Sequence, residues 1–311
     1  MLSPPDAELA RRDPAIPGLA LLLNPEEFAA ALRIALPEAN VRTVKITYVR
    51  YKPRINCLVA YQFESAGAVV KVYAKAHGPD TEVKLRNARK RSSFPGPLGP
   101  GRIVLEDRAI VVSIFPNDSK LKGLRGLGDK NKREDLLREL LPDHPEFWGG
   151  TVQSLRYKPE RRYIAQLLTE DGARGVLRVY TESGYQLAQG NTKALRSRGP
   201  LRLARLLGRS DRHRILAYEW LSGYLLNDTI SDPKLEFEKV ANVGMALAEL
   251  HVQNPEGLAY LKREAEAATL LEVATGIGFV CPHLARQAYD LAQRLGTHLV
   301  HEPPKIGRAH V

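Results

Sequence analysis

Two stretches of the chain alternate or cluster apolar residues over strand length, Cys57–Phe63 (CLVAYQF) and Tyr163–Leu168 (YIAQLL). Runs of this kind bounded by turn residues read as half-buried strands. Each leads into a turn with a glycine free to take positive φ, Ser65-Ala66-Gly67 and Glu170-Asp171-Gly172. A return strand follows, Val69–Tyr73 (VVKVY) or Val176–Tyr180 (VLRVY), and sets one basic residue, Lys71 or Arg178, among apolar neighbours. Behind the first hairpin the pattern predicts a helix over Asp80–Arg91, a strand Arg102–Leu105, a turn at Glu106-Asp107 and a strand Ala109–Phe115. Behind the second it predicts a helix near Tyr185–Arg198, a strand Leu203–Leu207, a turn at Ser210-Asp211 and a strand Arg214–Leu221. Ahead of both, Pro25–Leu36 reads as an amphipathic helix with Asn24 as N-cap and Pro25 in its first turn. After residue 221 the spacing turns helical, over Leu235–Gln253 and Glu264–Leu295, and no further strand is predicted.

The two hairpins are copies of one another. Residues 50–53 and 156–159 both read Arg-Tyr-Lys-Pro, and Val72-Tyr73 then matches Val179-Tyr180. A shared tetrapeptide, an alternating run, a glycine turn and a second apolar run in the same order point to an internal duplication.

At 311 residues, the chain has the length of about two domains. Its 44% hydrophobic and 26% charged residues are ordinary for a globular protein. No apolar run approaches the roughly 20 residues that span a bilayer, and the acidic, proline-containing N-terminus lacks the core of a signal peptide. The two cysteines, Cys57 and Cys281, exclude a disulfide scaffold and point to a reducing, cytoplasmic setting. Charge is less ordinary. The net is +11, yet residues 1–40 carry −3, so the remainder carries +14. The excess gathers in residues 84–138 and in the run Lys193–Arg214, where eight Lys and Arg face Asp211 alone. Such a field attracts nucleotide phosphates, nucleic acid or an acidic partner, or is simply a solvated basic surface. The eight histidines show no metal-ligand spacing, and Cys281-Pro282-His283 has no second ligand pair nearby. Walker-type GxxxxGK[ST] and GxSxG motifs are missing too. His251, Tyr218 and Trp220 read as packing residues.

Three segments carry a resemblance. GVLRVY (Gly175–Tyr180) looks like the third strand of a kinase small lobe, and ILAYEWLSG (Ile215–Gly223) like its hinge strand and linker. VANVGMALAELH (240–251) looks like the first long helix of the large lobe. Together they resemble the aminoglycoside phosphotransferase and choline kinase family, the small-molecule branch of the protein-kinase-like fold. The resemblance covers about residues 150–304, and the duplication extends it over 41–125. It implies an α+β, protein-kinase-like chain with a duplicated small β-lobe and an incomplete helical large lobe. Five segments follow from it: an N-terminal helical segment 1–40, a first small-lobe repeat acting as a cap over 41–147, a nucleotide-binding second small lobe over 148–223, a truncated helical lobe over 224–305, and a non-native tail over 306–311.

The resemblance also implies ATP and Mg²⁺ as cofactors. Arg178 would hold the α and β phosphates where the family usually has lysine, with the bulkier, forked charge of a guanidinium. Arg161 and Arg162, near the glycine-loop position, would add phosphate contacts. Glu219, Trp220 and Leu221 would offer backbone groups to the adenine edge. In the first copy Lys71 and Glu82 form the corresponding base and acid, so which copy holds the nucleotide stays open. The His-Gly-Asp loop and the later metal-binding Asp of the family do not occur in this chain. It reads Thr297–Pro304 about where that loop would come, and Ile306–Val311 (IGRAHV) is similar to a translated sequencing adapter. The parent is expected to move the γ-phosphoryl of ATP to a hydroxyl of a sugar, aminoglycoside or amino alcohol, this chain being an inactive fragment with neither catalytic nor metal-binding residues. The rivals are a nucleotide-binding pseudokinase and a basic nucleic-acid-binding module; a membrane partner is not expected.

Overall fold

The computed structural model describes residues 2–301 except 40, 43, 66, 80, 97, 224, 227–236 and 254–261. The expected non-native tail over 306–311 and the stretch from Glu302 to Pro304 lie outside these residues. The protein is mixed α+β. Two antiparallel five-stranded sheets are accompanied, among the described residues, by ten α-helices.

The chain opens with helices α1 (Pro4–Arg12), α2 (Leu19–Leu23) and α3 (Pro25–Ala35). Strands β1 (Val44–Lys52), β2 (Asn56–Ser65) and β3 (Ala68–His77) follow, then helix α4 (Thr81–Lys90) and strands β4 (Arg102–Leu105) and β5 (Ile110–Ile114). Helices α5 (Leu124–Gly128) and α6 (Lys130–Leu140) lead into β6 (Thr151–Lys158), β7 (Arg162–Leu168) and β8 (Arg174–Tyr180). Helix α7 (Glu182–Ala194), strands β9 (Leu206–Ser210) and β10 (Ile215–Glu219), and helices α8 (Phe237–Val252), α9 (Arg263–Val280) and α10 (Ala285–His301) complete the order. The fold divides into two compact units, residues 1–133 with 157–162 and 276–283, and residues 134–156 with 163–275 and 284–311.

In the first unit the alternation along β3 sorts its residues. Val70, Val72, Ala74 and Ala76 are buried in the core cluster that holds Leu22, Phe28 and Leu32 of the N-terminal helices. Phe28 stacks on Tyr61 with ring centroids 4.1 Å apart, and the Tyr61 hydroxyl donates to the Leu22 carbonyl at 2.5 Å. Each such side chain contributes about 1.5–3 kcal/mol by burial, which pins α2 and α3 to the sheet. Asn24 caps α3 as its sequence predicts, accepting from the N–H groups of Glu26 and Glu27. On the opposite face of the sheet, Leu58, Ala60 and Tyr73 pack with Tyr48 and Tyr157.

The duplication is visible as geometry. The sheets have the orders β1-β2-β3-β5-β4 and β6-β7-β8-β10-β9, each with a helix between its third and fourth strands in sequence. It also reaches further back than the hairpins. Asp13, Gly18, Leu19, Leu32 and Pro37 recur 105 residues later as Asp118, Gly123, Leu124, Leu137 and Pro142, so α2 and α3 have their copies in α5 and α6. Among the described residues the four non-glycine residues with positive φ form two pairs across the repeat, Arg54 with Glu160 at an offset of 106 and Ala109 with Arg214 at an offset of 105.

In the second unit Tyr163, Ala165, Leu167, Leu177, Val179 and Ile215 are buried, as are Leu137, Leu140 and Leu141 in and just after α6. A Cβ on Gly208 would stand 2.0 Å from the Leu140 carbonyl oxygen, so β9 approaches that helix only with glycine there. Helix α7 starts at Glu182, about a turn before the predicted start, because Thr181 caps it by accepting from the Gly184 N–H. The predicted strand 203–207 forms at Leu206–Ser210 instead. The single helical run expected over Glu264–Leu295 is broken at Cys281-Pro282, since proline cannot donate the next helical hydrogen bond. No helix among the described residues is long and apolar enough to cross a membrane.

Candidate functional site

The sheet register decides which residues of the two copies correspond. The N–H of His77 donates to the carbonyl of Ala109, and the N–H of Tyr180 donates to the carbonyl of Arg214. Ala109 and Arg214 are the paired left-handed residues, so His77 corresponds to Tyr180, and Lys75 to Arg178. The strand pairing agrees, with Lys75 opposite Val111 and Arg178 opposite Leu216. The residue in register with Arg178 is therefore Lys75 rather than Lys71. The Val-Tyr match in sequence misaligns the strands because the first hairpin is longer, Asn56–His77 against Arg162–Tyr180.

The shared Arg-Tyr-Lys-Pro sequence builds a carboxylate-clasped turn. Pro53 and Pro159 take the second position of a β-turn closed by Ile55 N–H to Lys52 O at 3.0 Å, and by Arg161 N–H to Lys158 O at 3.1 Å. The next residue, Arg54 (φ 60) or Glu160 (φ 57), is left-handed. A buried aspartate binds both the tyrosine and that residue. Asp13 Oδ2 accepts from the Tyr51 hydroxyl at 2.6 Å and the Arg54 N–H at 2.8 Å. Asp118 Oδ2 accepts from the Tyr157 hydroxyl at 2.9 Å and the Glu160 N–H at 2.8 Å.

The second clasp aims a carboxylate at the lysine. Lys75 Nζ donates to Glu160 Oε1 at 3.0 Å and Oε2 at 2.8 Å, and Arg50 donates to Oε2 at 2.5 Å. All three side chains are at most 19% exposed. Burial alone would push the Glu160 carboxyl up, but Lys75 and Arg50 outweigh it and hold it below the ordinary glutamate value. Around this triad opens a cavity of about 320 Å³ lined by β3, β5, α4 and the segment Ser119-Lys120.

The expected site residues are placed as follows. Lys71 is half-buried on β3, with burial lowering its amine. Glu82 is exposed on the first turn of α4, and among the described residues no ion pair joins it to Lys71. Arg178 is half-buried, with the Tyr180 hydroxyl on the same side of the strand, and burial pushes that hydroxyl up to about 12. Tyr218, in reach of Tyr180, also shares a 3.0 Å hydrogen bond with Thr192. The Glu219 N–H donates to the Arg205 carbonyl at 2.9 Å, and its carboxylate accepts from the Arg205 N–H at 3.1 Å, so neither group stands open. Trp220 is half-buried under the Arg174 guanidinium, 6.0 Å from its ring centroid, and Leu221 is half-buried beyond it. Arg161 is exposed, and Arg162 opens β7 half-buried.

In the basic run Lys193–Arg214, four cations have acidic partners: Arg198 with Glu249, Arg205 with Glu219, Arg209 with Asp211, and Arg214 with Glu182. Local pairing weakens that run as a polyanion surface. Among the described residues no three His, Cys, Asp or Glu side chains are grouped to hold a metal ion. Lys75, Glu160 and Arg102, which line the cavity, were not singled out from the sequence. The available signal was the reversal from Arg54 to Glu160 at one position of an otherwise repeated turn. No family model matches the chain, and no curated protein is significantly similar to it.

Proposed function

We propose that this chain is the β-lobe part of a small-molecule phosphotransferase with a protein-kinase-like fold. The supporting observation is the repeated five-stranded sheet, with the helix after its third strand and a basic residue, Lys75 or Arg178, at the same register on that strand. Phosphoryl transfer depends on positioning and charge neutralisation more than on covalent chemistry. In the second repeat Arg178, with the Tyr180 and Tyr218 hydroxyls on its side of the sheet, would take the α and β phosphates. Because Glu219 is engaged by Arg205, adenine contacts fall to the backbone of Trp220 and Leu221. ATP bound there supplies the phosphoryl group and Mg²⁺ neutralises it. This chain's own share in this reading is to bind and orient. Apolar side chains half exposed on α8–α10, such as Met245, Leu247, Val273 and Leu291, accord with a helical lobe that has more helices to add.

Reading the source DNA beyond the codon for Pro304 tests the catalytic half of this reading. Continuation into a His-Gly-Asp loop and a later metal-binding Asp supports it, and the chain extended by that sequence should transfer phosphate from ATP to a polyol or amino alcohol. A native stop codon after Val311 leaves only nucleotide binding without turnover.

A further inference from the structure

The phosphotransferase reading gives the cavity of the first repeat no role. Tyr73, Lys75 and His77 of β3 form its floor with Ser113 of β5, and Lys84 of α4 with Arg91 just past its end form a wall. Arg102 of β4 and Lys120 line further sides. Among the described residues five Lys and Arg thus meet one carboxylate, Glu160, which Lys75 and Arg50 already neutralise. Arg102 is fixed in advance, its guanidinium donating to the carbonyls of Ala88 at 3.2 Å and Arg91 at 3.1 Å near the end of α4. Lys84 is tethered through a 2.9 Å bond to the Pro79 carbonyl.

The second repeat serves as an internal control. Ser113 pairs with Tyr73 and Arg102, while its counterpart Tyr218 pairs with Val176 and Leu206. His77 is replaced there by Tyr180. Where the second repeat has two tyrosine rings and a leucine, the first has a serine, a histidine and an arginine, so space and charge belong to this copy and not to the fold as such. Among the described residues the aliphatic side chains lining it are Ala88 and Val111, and the Tyr73 ring is itself buried, so the lining favours a hydrophilic ligand over a nucleobase. Burial, reinforced by Lys75 and Lys84, keeps His77 neutral, so it adds hydrogen bonding without further charge.

We propose that this cavity binds a small hydrophilic anion bearing phosphoryl groups, a phosphate ester or oligophosphate without a base, at a site separate from the nucleotide. Arg102 and the lysines would supply charge-assisted N–H donors to its oxygens, and Ser113 and Asn87 would bond its neutral hydroxyls.

The test is titration calorimetry with inorganic pyrophosphate and, separately, ATP at fixed ionic strength. The whole chain is compared with Lys84→Gln/Lys120→Gln, two changes in side chains that make no ion pair among the described residues, and with Arg178→Ala. Circular dichroism confirms that each variant is folded. Pyrophosphate should saturate one site with a submillimolar Kd, the double variant should weaken it at least tenfold, and Arg178→Ala should leave it unchanged. Absence of saturable binding, or equal binding by the double variant, overturns the proposal. So does loss of ATP binding in the double variant, which would make the cavity the nucleotide's own phosphate site.

Discussion

Two aspartates make the same clasp with different second oxygens. Asp118 Oδ1 accepts from the N–H groups of Lys120 at 2.8 Å and Leu121 at 3.2 Å, whereas Asp13 Oδ1 is buried and accepts from none. An amide fits the second site and not the first, where its NH₂ would face two N–H donors. Asp118→Asn should therefore cost about 2–3 kcal/mol and Asp13→Asn about 1 kcal/mol in denaturant unfolding, from the price of unmade buried hydrogen bonds. Glu160→Gln leaves Lys75 and Arg50 buried without their counter-charge, and should cost about 3–5 kcal/mol. Because the folded Glu160 carboxyl lies below its unfolded value, its stabilisation is complete above pH about 4.5 and is lost as pH falls through the lower folded value. His77 acts in an adjoining window. Burial, then Lys75 and Lys84, lower it from 6.5 to about 4, so between these values the unfolded chain holds a proton that the folded chain refuses. Melting temperature should fall from pH 6.5 toward 4, and His77→Gln should flatten the upper part of that fall. An unchanged slope would remove His77 from the explanation.

Among the elements, the hairpins were legible because four identical residues mark the turn and glycine marks its far end. The helical half of the repeat was not, since its identities are sparse, Asp13, Gly18-Leu19, Leu32 and Pro37, spread among unlike neighbours. Register was misread for a related reason: Val-Tyr recurs in both return strands, but hydrogen bonding is counted from the left-handed turn, and only Lys75 keeps that count with Arg178. Nor could local sequence show that Glu160 reaches a lysine 85 positions away. Left-handed Arg54 is a consequence of the clasp, which needs its N–H turned toward Asp13. A side chain in that conformation costs about 1–2 kcal/mol and glycine returns part of this as unfolded-state entropy. Arg54 is exposed, so Arg54→Gly should stabilise the chain by about 0.5–1 kcal/mol, and Arg54→Val should destabilise it in the same unfolding assay.

Across the whole molecule, net charge is a poor guide to partners until the ion pairs are assigned. The Lys193–Arg214 run holds the densest positive charge in the sequence, yet half of its cations have acidic neighbours. The cavity on the first repeat draws on the other basic stretch, and there, among the described residues, four of five cations make no ion pair and the lining carries one carboxylate, which Lys75 shares. Two repeats with one topology have thus diverged, one toward an open cationic cavity and the other toward a tyrosine-filled face bearing Arg178. Whether that second face takes nucleotide is decided by thermal unfolding with and without ATP and Mg²⁺ for the chain and for Arg178→Ala. A saturable rise in melting temperature that disappears in Arg178→Ala is expected. No rise, or the same rise in both proteins, would contradict the assignment of nucleotide to Arg178.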